Sequence, residues 1–169
     1  MSETYLIALG SNRRHREHGG PREVVHAAME ELSALGTVAS RSPVIESAPI
    51  GPAHRRFANA VAELESDLPP PALLRDLKAV ERGFGRRGGQ AWGDRVLDCD
   101  IVLWSGGEWG DESLTIPHPH FRQRAFVLAP ATAIAPGWRD PVTGLCVRHL
   151  QARLTRPRGI RRDALWSGR

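Results

Sequence analysis

The feature that most restricts what this chain can become is the run Val96-Leu97-Asp98-Cys99-Asp100-Ile101-Val102-Leu103. Its β-branched and aliphatic residues specify a buried strand, yet two carboxylates sit inside it at i and i+2. Side chains alternate along a strand, so Asp98 and Asp100 are expected on one face and Leu97, Cys99, Ile101 and Leu103 on the other. Two anions in an apolar setting repel each other and lose hydration, which calls for a cation or a shared proton. Roughly 6.6 Å apart along the strand, both carboxylates can reach one Mg²⁺ or bridge a pair of them. Magnesium keeps waters and recruits phosphate oxygens, so a nucleotide is the expected third party. The plain alternative is one carboxylate exposed at a strand end and the other paired with a neighbour such as Arg95.

A chain of 169 residues can carry one full core without a second domain. Its formal charge of +4 raises a nucleic-acid reading, which the distribution of charge weakens. Residues 151–169 hold six arginines against Asp163, a net of +5, so residues 1–150 carry −1. The expected organisation is therefore a near-neutral body over 1–150 and a basic tail over 151–169, with no specific nucleic-acid partner. Two cysteines, Cys99 and Cys146, give no disulfide framework and suit a reducing compartment. The start Met1-Ser2-Glu3-Thr4 is not basic, and the apolar run Tyr5 to Leu9 is too short for a leader or a membrane span. A cytoplasmic location, no membrane partner and a monomer are the expectations.

Along the chain, Tyr5 to Leu9 reads as a strand closed by the turn composition Gly10-Ser11-Asn12. A basic loop, Arg13 to Gly20, precedes a helix opened by Pro21, with Val25, Ala28, Met29, Leu32 and Leu35 at helical spacing and Gly36 as its cap. Strands are expected over 38–47 and 57–65, the latter with Phe57, Asn59 and Val61 on one face. A second helix spans about 72–82, and a glycine-rich loop covers 83–93. After the aspartate strand come a short extended segment at 114–116 and a mostly helical one at 121–133. The order β-α-β-β-α-β predicts an α+β fold, a ferredoxin-like sandwich with a mostly antiparallel sheet and helices packed on it.

Three ordered landmarks then stand out: Ala8-Leu9-Gly10-Ser11-Asn12, Gly93-Asp94-Arg95-Val96-Leu97-Asp98-Cys99-Asp100, and the segment from Pro117 to Pro130. Together they resemble the 6-hydroxymethyl-7,8-dihydropterin pyrophosphokinases of folate biosynthesis. That family has a strand ending Gly-Ser-Asn, a strand Gly-Pro-Arg-x-Leu-Asp-Leu-Asp and a segment Pro-His-x-x-x-x-x-Arg-x-Phe-x-Leu-x-Pro. Pro117, His118, Arg124, Phe126, Leu128 and Pro130 match the last of these position for position. The resemblance covers roughly residues 5 to 150 and implies the same sandwich fold.

It also implies a reaction, the transfer of pyrophosphate from ATP to the pterin hydroxymethyl group with release of AMP. No Gly-x-x-x-x-Gly-Lys-[Ser/Thr] loop is present, so such chemistry has to rest on metals and arginines. By resemblance, Asp98 and Asp100 hold two Mg²⁺ ions, and Arg86 and Arg95 act on the phosphates as catalytic arginines. Glu81, Trp92, His118 and Arg124 complete the ATP side. On the pterin side, Phe57 and Phe126 are the stacking pair and Asn59 the amide contact. Gly10, Ser47, Ala48, Pro49 and Ile50 complete that side, 47–50 supplying backbone that reads the heterocycle's edge. Taken without the motif, His118 is a turn residue between two prolines, Phe126 and Phe57 are core, and Glu81 is half of a surface ion pair.

The chain departs from the family pattern at Asp94, where Pro is usual, at Cys99, where an aliphatic residue is usual, and at Ala91 and Ser113, where basic residues are common. Two other classes compete, and a degenerate family member retained for protein contacts is a third option. A metal-dependent phosphohydrolase or nuclease would also use Asp98 and Asp100, but would activate water and needs no stacking pair. A ferredoxin-like nucleic-acid-binding module would use exposed strand aromatics and the basic tail, and needs no paired aspartates.

Overall fold

The computed structural model describes residues 1–49, 55–85 and 96–157. Its central sheet contains β1 (Glu3–Ser11), β2 (Thr37–Arg41), β3 (Ile45–Ser47), β4 (Phe57–Ser66) and β5 (Asp98–Trp104). The strand order is β2-β4-β1-β5 with β3 also paired to β4, and every pairing is antiparallel. Helices α1 (Pro21–Glu31) and α2 (Pro70–Gly83) connect the strands. A hairpin of β6 (Trp109–Gly110) and β7 (Thr115–Ile116) follows, then α3 (Ala125–Ile134) and α4 (Val147–Thr155). This is the ferredoxin-like α+β sandwich anticipated from the element order.

The two helix pairs cover opposite faces of the sheet. Tyr5, Ile7 and Leu9 of β1 and Cys99 and Ile101 of β5 share one apolar cluster with Val25, Ala28 and Met29 of α1 and Leu73 and Leu77 of α2. The other face gathers Leu6, Val61, Val102 and Leu103 with Val127, Leu128 and Ala131 of α3 and Val147 and Leu150 of α4. The amphipathic α1 and α2 turn one apolar stripe to the sheet. The far end of the second layer is fixed by Asp140, fully buried, which accepts hydrogen bonds from Arg122 Nε (2.6 Å) and Nη2 (2.7 Å) and from Thr143 Oγ1 (2.6 Å).

Three expected elements differ in the structure. Leu103 lies with Leu6 on the α3 face, not with Cys99 and Ile101, because Leu6 pairs with Leu103 while Ile7 pairs with Ile101. Val102 is thus the extra residue of a β-bulge, and a bulge moves every later side chain to the other face. The single strand expected over 38–47 is two strands. Pro43 has no N–H for a ladder, and at the break Ser42 N–H donates to the Val61 carbonyl while Ser42 Oγ accepts from Val61 N–H, each at 2.9 Å. Helix α1 ends at Glu31 in a 3₁₀ turn over Leu32–Ala34, and Gly36 serves close approach, since a Cβ there would lie 2.1 Å from the Glu65 carbonyl oxygen. Helix α4 runs through the boundary at 150/151 as far as Thr155. Among the described residues, no helix is long and apolar enough to cross a membrane.

Candidate active site

The register of the sheet brings most of the described candidate residues to one face. Gly10 pairs with Asp98 on one side and with Asn59 on the other, and Asn59 pairs in turn with Ile45 of β3. One step along, Ala8 pairs with Asp100 and Val61, and Ser47 pairs with Phe57. Facing residues in paired strands project to the same side, and so do i and i+2. Asp98, Asp100, Gly10, Asn59, Phe57 and Ser47 therefore line the α3 face, above its apolar half at Leu6, Val61 and Leu103. Ala48 and Pro49 continue from β3 as exposed coil. Arg86, Trp92, Arg95 and Ile50 lie outside the described residues, as do Ala91 and Asp94.

Asn59 is buried, and its Nδ2 donates to Ser47 Oγ at 2.8 Å. Its amide oxygen lies over Gly10, where a Cβ would approach it to 3.2 Å. Glycine thus leaves an open floor between an amide on β4 and a carboxylate on β5. Phe126, half-buried near the start of α3, packs at the edge of this face, with the Arg124 guanidinium 5.7 Å from its ring centre.

His118 enters from the segment after β7, behind the cis Ile116–Pro117 bond. Its N–H donates to the carbonyl of the bulge residue Val102 at 3.0 Å, and its Nε2 stands 3.8 Å from Asp100 Oδ2. His118 Nδ1 accepts the His120 N–H at 3.1 Å, which leaves the ring proton on Nε2, toward Asp100. Burial, helped by the charge of Arg124, pushes the imidazole down to about 4. Burial and then the neighbouring Asp98 push the Asp100 carboxyl up to about 6. Both shifts run against an ion pair, so His118 is a neutral donor and the charge problem of Asp100 is left to a cation.

Glu81, placed by the sequence reading beside the nucleotide or in a surface pair, is in fact fully buried. Its Oε1 accepts the Cys99 N–H at 2.8 Å and the Lys78 ammonium at 2.6 Å. Lys78, which the sequence reading passes over, also donates to the Cys99 carbonyl at 3.1 Å and has its Nζ 3.9 Å from Asp100 Oδ1. It is the chain's only lysine, and it lies three residues before Glu81 on one helix face. Burial, and then the charges of Glu81 and Asp98, raise the Cys99 thiol well above its ordinary range.

Two carboxylates on one face, one of them harder to ionise than an ordinary carboxyl, beside a neutral imidazole and an arginine, suit a hard cation with phosphate oxygens as its remaining ligands. Among the described residues, no group of three or more His, Cys, Asp or Glu side chains forms a closed metal cage. An open pair is what a magnesium ion shared with a substrate requires.

Residues 6–136 match the family described as 7,8-dihydro-6-hydroxymethylpterin-pyrophosphokinase. A Pseudomonas aeruginosa 2-amino-4-hydroxy-6-hydroxymethyldihydropteridine pyrophosphokinase is 39% identical over 144 residues, 83% of this chain and 86% of that protein. A Methylorubrum extorquens enzyme of the same name is 35% identical over 165 residues, 96% of this chain and 99% of that protein. Among solved structures, wild-type Plasmodium falciparum HPPK-DHPS superimposes with a TM-score of 0.71 at 12% identity, covering 90% of this chain and 41% of that one. That last likeness speaks for the fold alone. The chain belongs to the 7,8-dihydro-6-hydroxymethylpterin-pyrophosphokinase family, and by that membership it is an ATP-dependent diphosphotransferase of folate biosynthesis.

Proposed function

We propose that this chain transfers the pyrophosphoryl group of ATP to the hydroxymethyl oxygen of 6-hydroxymethyl-7,8-dihydropterin on the α3 face of the sheet. The observation that carries this reading is the row Asn59–Gly10–Asp98 across three paired strands. An amide suited to the edge of a heterocycle and a carboxylate suited to a phosphate-bound metal stand two strand spacings apart, roughly 10 Å, with no side chain between them. A water-activating phosphohydrolase has no use for the amide half of that row.

Asp98 and Asp100 are the residues that would hold two Mg²⁺ ions. Magnesium bound there supplies charge neutralisation on the triphosphate and polarises the attacking hydroxyl. The neutral His118 donates from Nε2, and Arg124 offers a planar fork to phosphate oxygens. Arg86, Trp92 and Arg95 join the ATP side on the strength of their sequence positions. On the other side Phe57 and Phe126 flank the heterocycle, Asn59 presents its amide oxygen, and the backbone of residues 47–50 with Gly10 borders its edge. Holding two substrates in line is the larger part of such a transfer, and Gly10, Phe57, Asn59, Asp98 and Asp100 sit on strands and Phe126 at the start of a helix. We further propose a cytoplasmic monomer in which residues 1–150 form the catalytic body and 151–169 a basic tail with no specific nucleic-acid partner.

The direct test is to incubate the full chain with ATP, Mg²⁺ and the pterin and to follow the nucleotide product. AMP that appears only when all three are present is expected. Release of ADP, or hydrolysis that ignores the pterin, would exclude this reading.

A further inference from the structure

The chain uses arginine at every basic position but one, and the exception is Lys78. Among the described residues β5 is at the sheet's edge with β1 as its only paired strand, so the outward N–H and C=O of Cys99 meet no described strand. Glu81 takes the N–H and Lys78 the carbonyl, so that an i,i+3 pair on α2 does the work of a missing strand. The lysine stem comes from the α2 side and reaches past this edge toward Asp100, its side chain 27% exposed. The ammonium then donates to two acceptors, Glu81 Oε1 at 2.6 Å and the Cys99 carbonyl at 3.1 Å, and forms an ion pair with Asp100 Oδ1 at 3.9 Å. Three N–H bonds diverge from this one compact charge, so two can meet the close acceptors while the charge still faces the Asp100 carboxylate.

We infer that Lys78 is the internal counter-ion of Asp100, a positioning residue that offsets part of the carboxylate's charge while no metal is bound and competes with the metal for it. The inference rests on the proposed metal role of the Asp98 and Asp100 pair. A dication on Asp100 would come within a few ångströms of the ammonium, and repulsion at that distance is substantial even when partly screened by water. The ammonium cannot simply swing away, because the buried Glu81 carboxylate and the Cys99 carbonyl hold it. Metal alone is therefore bound weakly, and metal arriving with a polyphosphate, which brings its own negative charge, is favoured.

The test uses Mn²⁺ as the probe, with the full chain and no nucleotide, its binding followed by the free-ion signal in electron paramagnetic resonance. Lys78→Gln, which keeps donors but removes the charge, should tighten Mn²⁺ binding by about threefold to tenfold. Lys78→Arg, which keeps the charge, should stay within about twofold of the unmodified chain. Unchanged or weaker binding in Lys78→Gln would overturn the inference. Asp100→Asn separates the two levels of the argument: if it too binds Mn²⁺ as the unmodified chain does, the metal reading itself fails. Should Lys78→Gln not fold, the unmodified chain still decides. Lys78 carries its only side-chain amine, so labelling by an amine-reactive ester can be read at one peptide by mass spectrometry. Saturating Mn²⁺ should raise the labelling rate of Lys78 by about threefold or more as the ammonium loses Asp100; an unchanged rate would overturn the inference as well.

Discussion

On the α1 and α2 side of the sheet, Tyr5, Ile7, Leu9, Cys99 and Ile101 are at most 2% exposed and the layer is almost wholly apolar. On the α3 side the same strands present Gly10, Phe57, Asn59, Asp98 and Asp100 at one end and Leu6, Val61 and Leu103 at the other. The difference shows how a period of two lets one strand carry two independent specifications, one for cohesion and one for chemistry. The bulge at Val102 marks where the α3 face passes from polar to apolar, since beyond it the chain returns aliphatic side chains to that face. Substitutions should therefore sort by face, activity being lost from one and stability from the other.

The largest expected effect lies on the α3 face. Asp98→Asn and Asp100→Asn should each lower turnover by roughly a thousandfold or more, through lost metal-mediated neutralisation of the transferring phosphates. Circular dichroism should show an unchanged fold. Native turnover in Asp100→Asn would remove the carboxylate pair from the chemistry and break the division of labour between the faces.

Next comes the opposite face. Leu77 is fully buried in α2, and Leu77→Ala should cost about 2 to 5 kcal/mol in chemical denaturation, from lost burial plus the cavity left behind. Turnover per folded molecule should hardly move. A fall in that quantity comparable with the aspartate variants would show that the two faces are not separable.

How much of this could be read without coordinates differs along β5. The pairing of Asp98 with Asp100 followed from strand geometry, because two residues at i and i+2 share a face whatever the neighbours are. The place of Leu103 did not follow, because a bulge leaves the aliphatic pattern of Ile101-Val102-Leu103 unchanged and is fixed by pairing with β1. The break between β2 and β3 had a visible cause in Pro43, a residue without a ladder donor. Lys78 escaped because its partners come from another element: its contact with Cys99 joins a helix to a strand 21 residues away. Only its being the sole lysine marked it. Likewise, that Asn59, Gly10 and Asp98 form one row is a matter of register, to which no single segment testifies.

A smaller effect should distinguish the two halves of the α3 face itself. Phe126→Ala should weaken pterin binding by about 1 to 3 kcal/mol through lost stacking and burial, with much less change for ATP. Calorimetric titration of each ligand checks this. Equal losses for both would mean that Phe126 supports α3 and Arg124 instead of facing a heterocycle.

The smallest effect is thermodynamic, and it asks whether the polar end of the α3 face costs stability that the apolar face must offset. The Asp100 carboxyl is raised from 3.8 to about 6, by burial first and by Asp98 second. A carboxyl whose folded value lies above its unfolded one favours the folded state when protonated, so the metal-free protein loses stability as pH rises from about 4 through about 6. Solvent reaches the side chain, which is 31% exposed, so the cost is about 1 to 2 kcal/mol above that window, less than the full shift would give. Asp100→Asn removes the titration, and its melting temperature in chelator should exceed that of the unmodified chain by roughly 2 to 6 °C at pH 7.5. At pH 4 the two should melt together. Magnesium at pH 7.5 should raise the melting temperature of the unmodified chain and leave Asp100→Asn nearly where it was, because a cation on the pair relieves the same repulsion that the amide abolishes. A variant no more stable than the unmodified chain at pH 7.5 would mean that Lys78 and Arg124 already neutralise Asp100 in full, and that the polar end of the face imposes no cost on the fold.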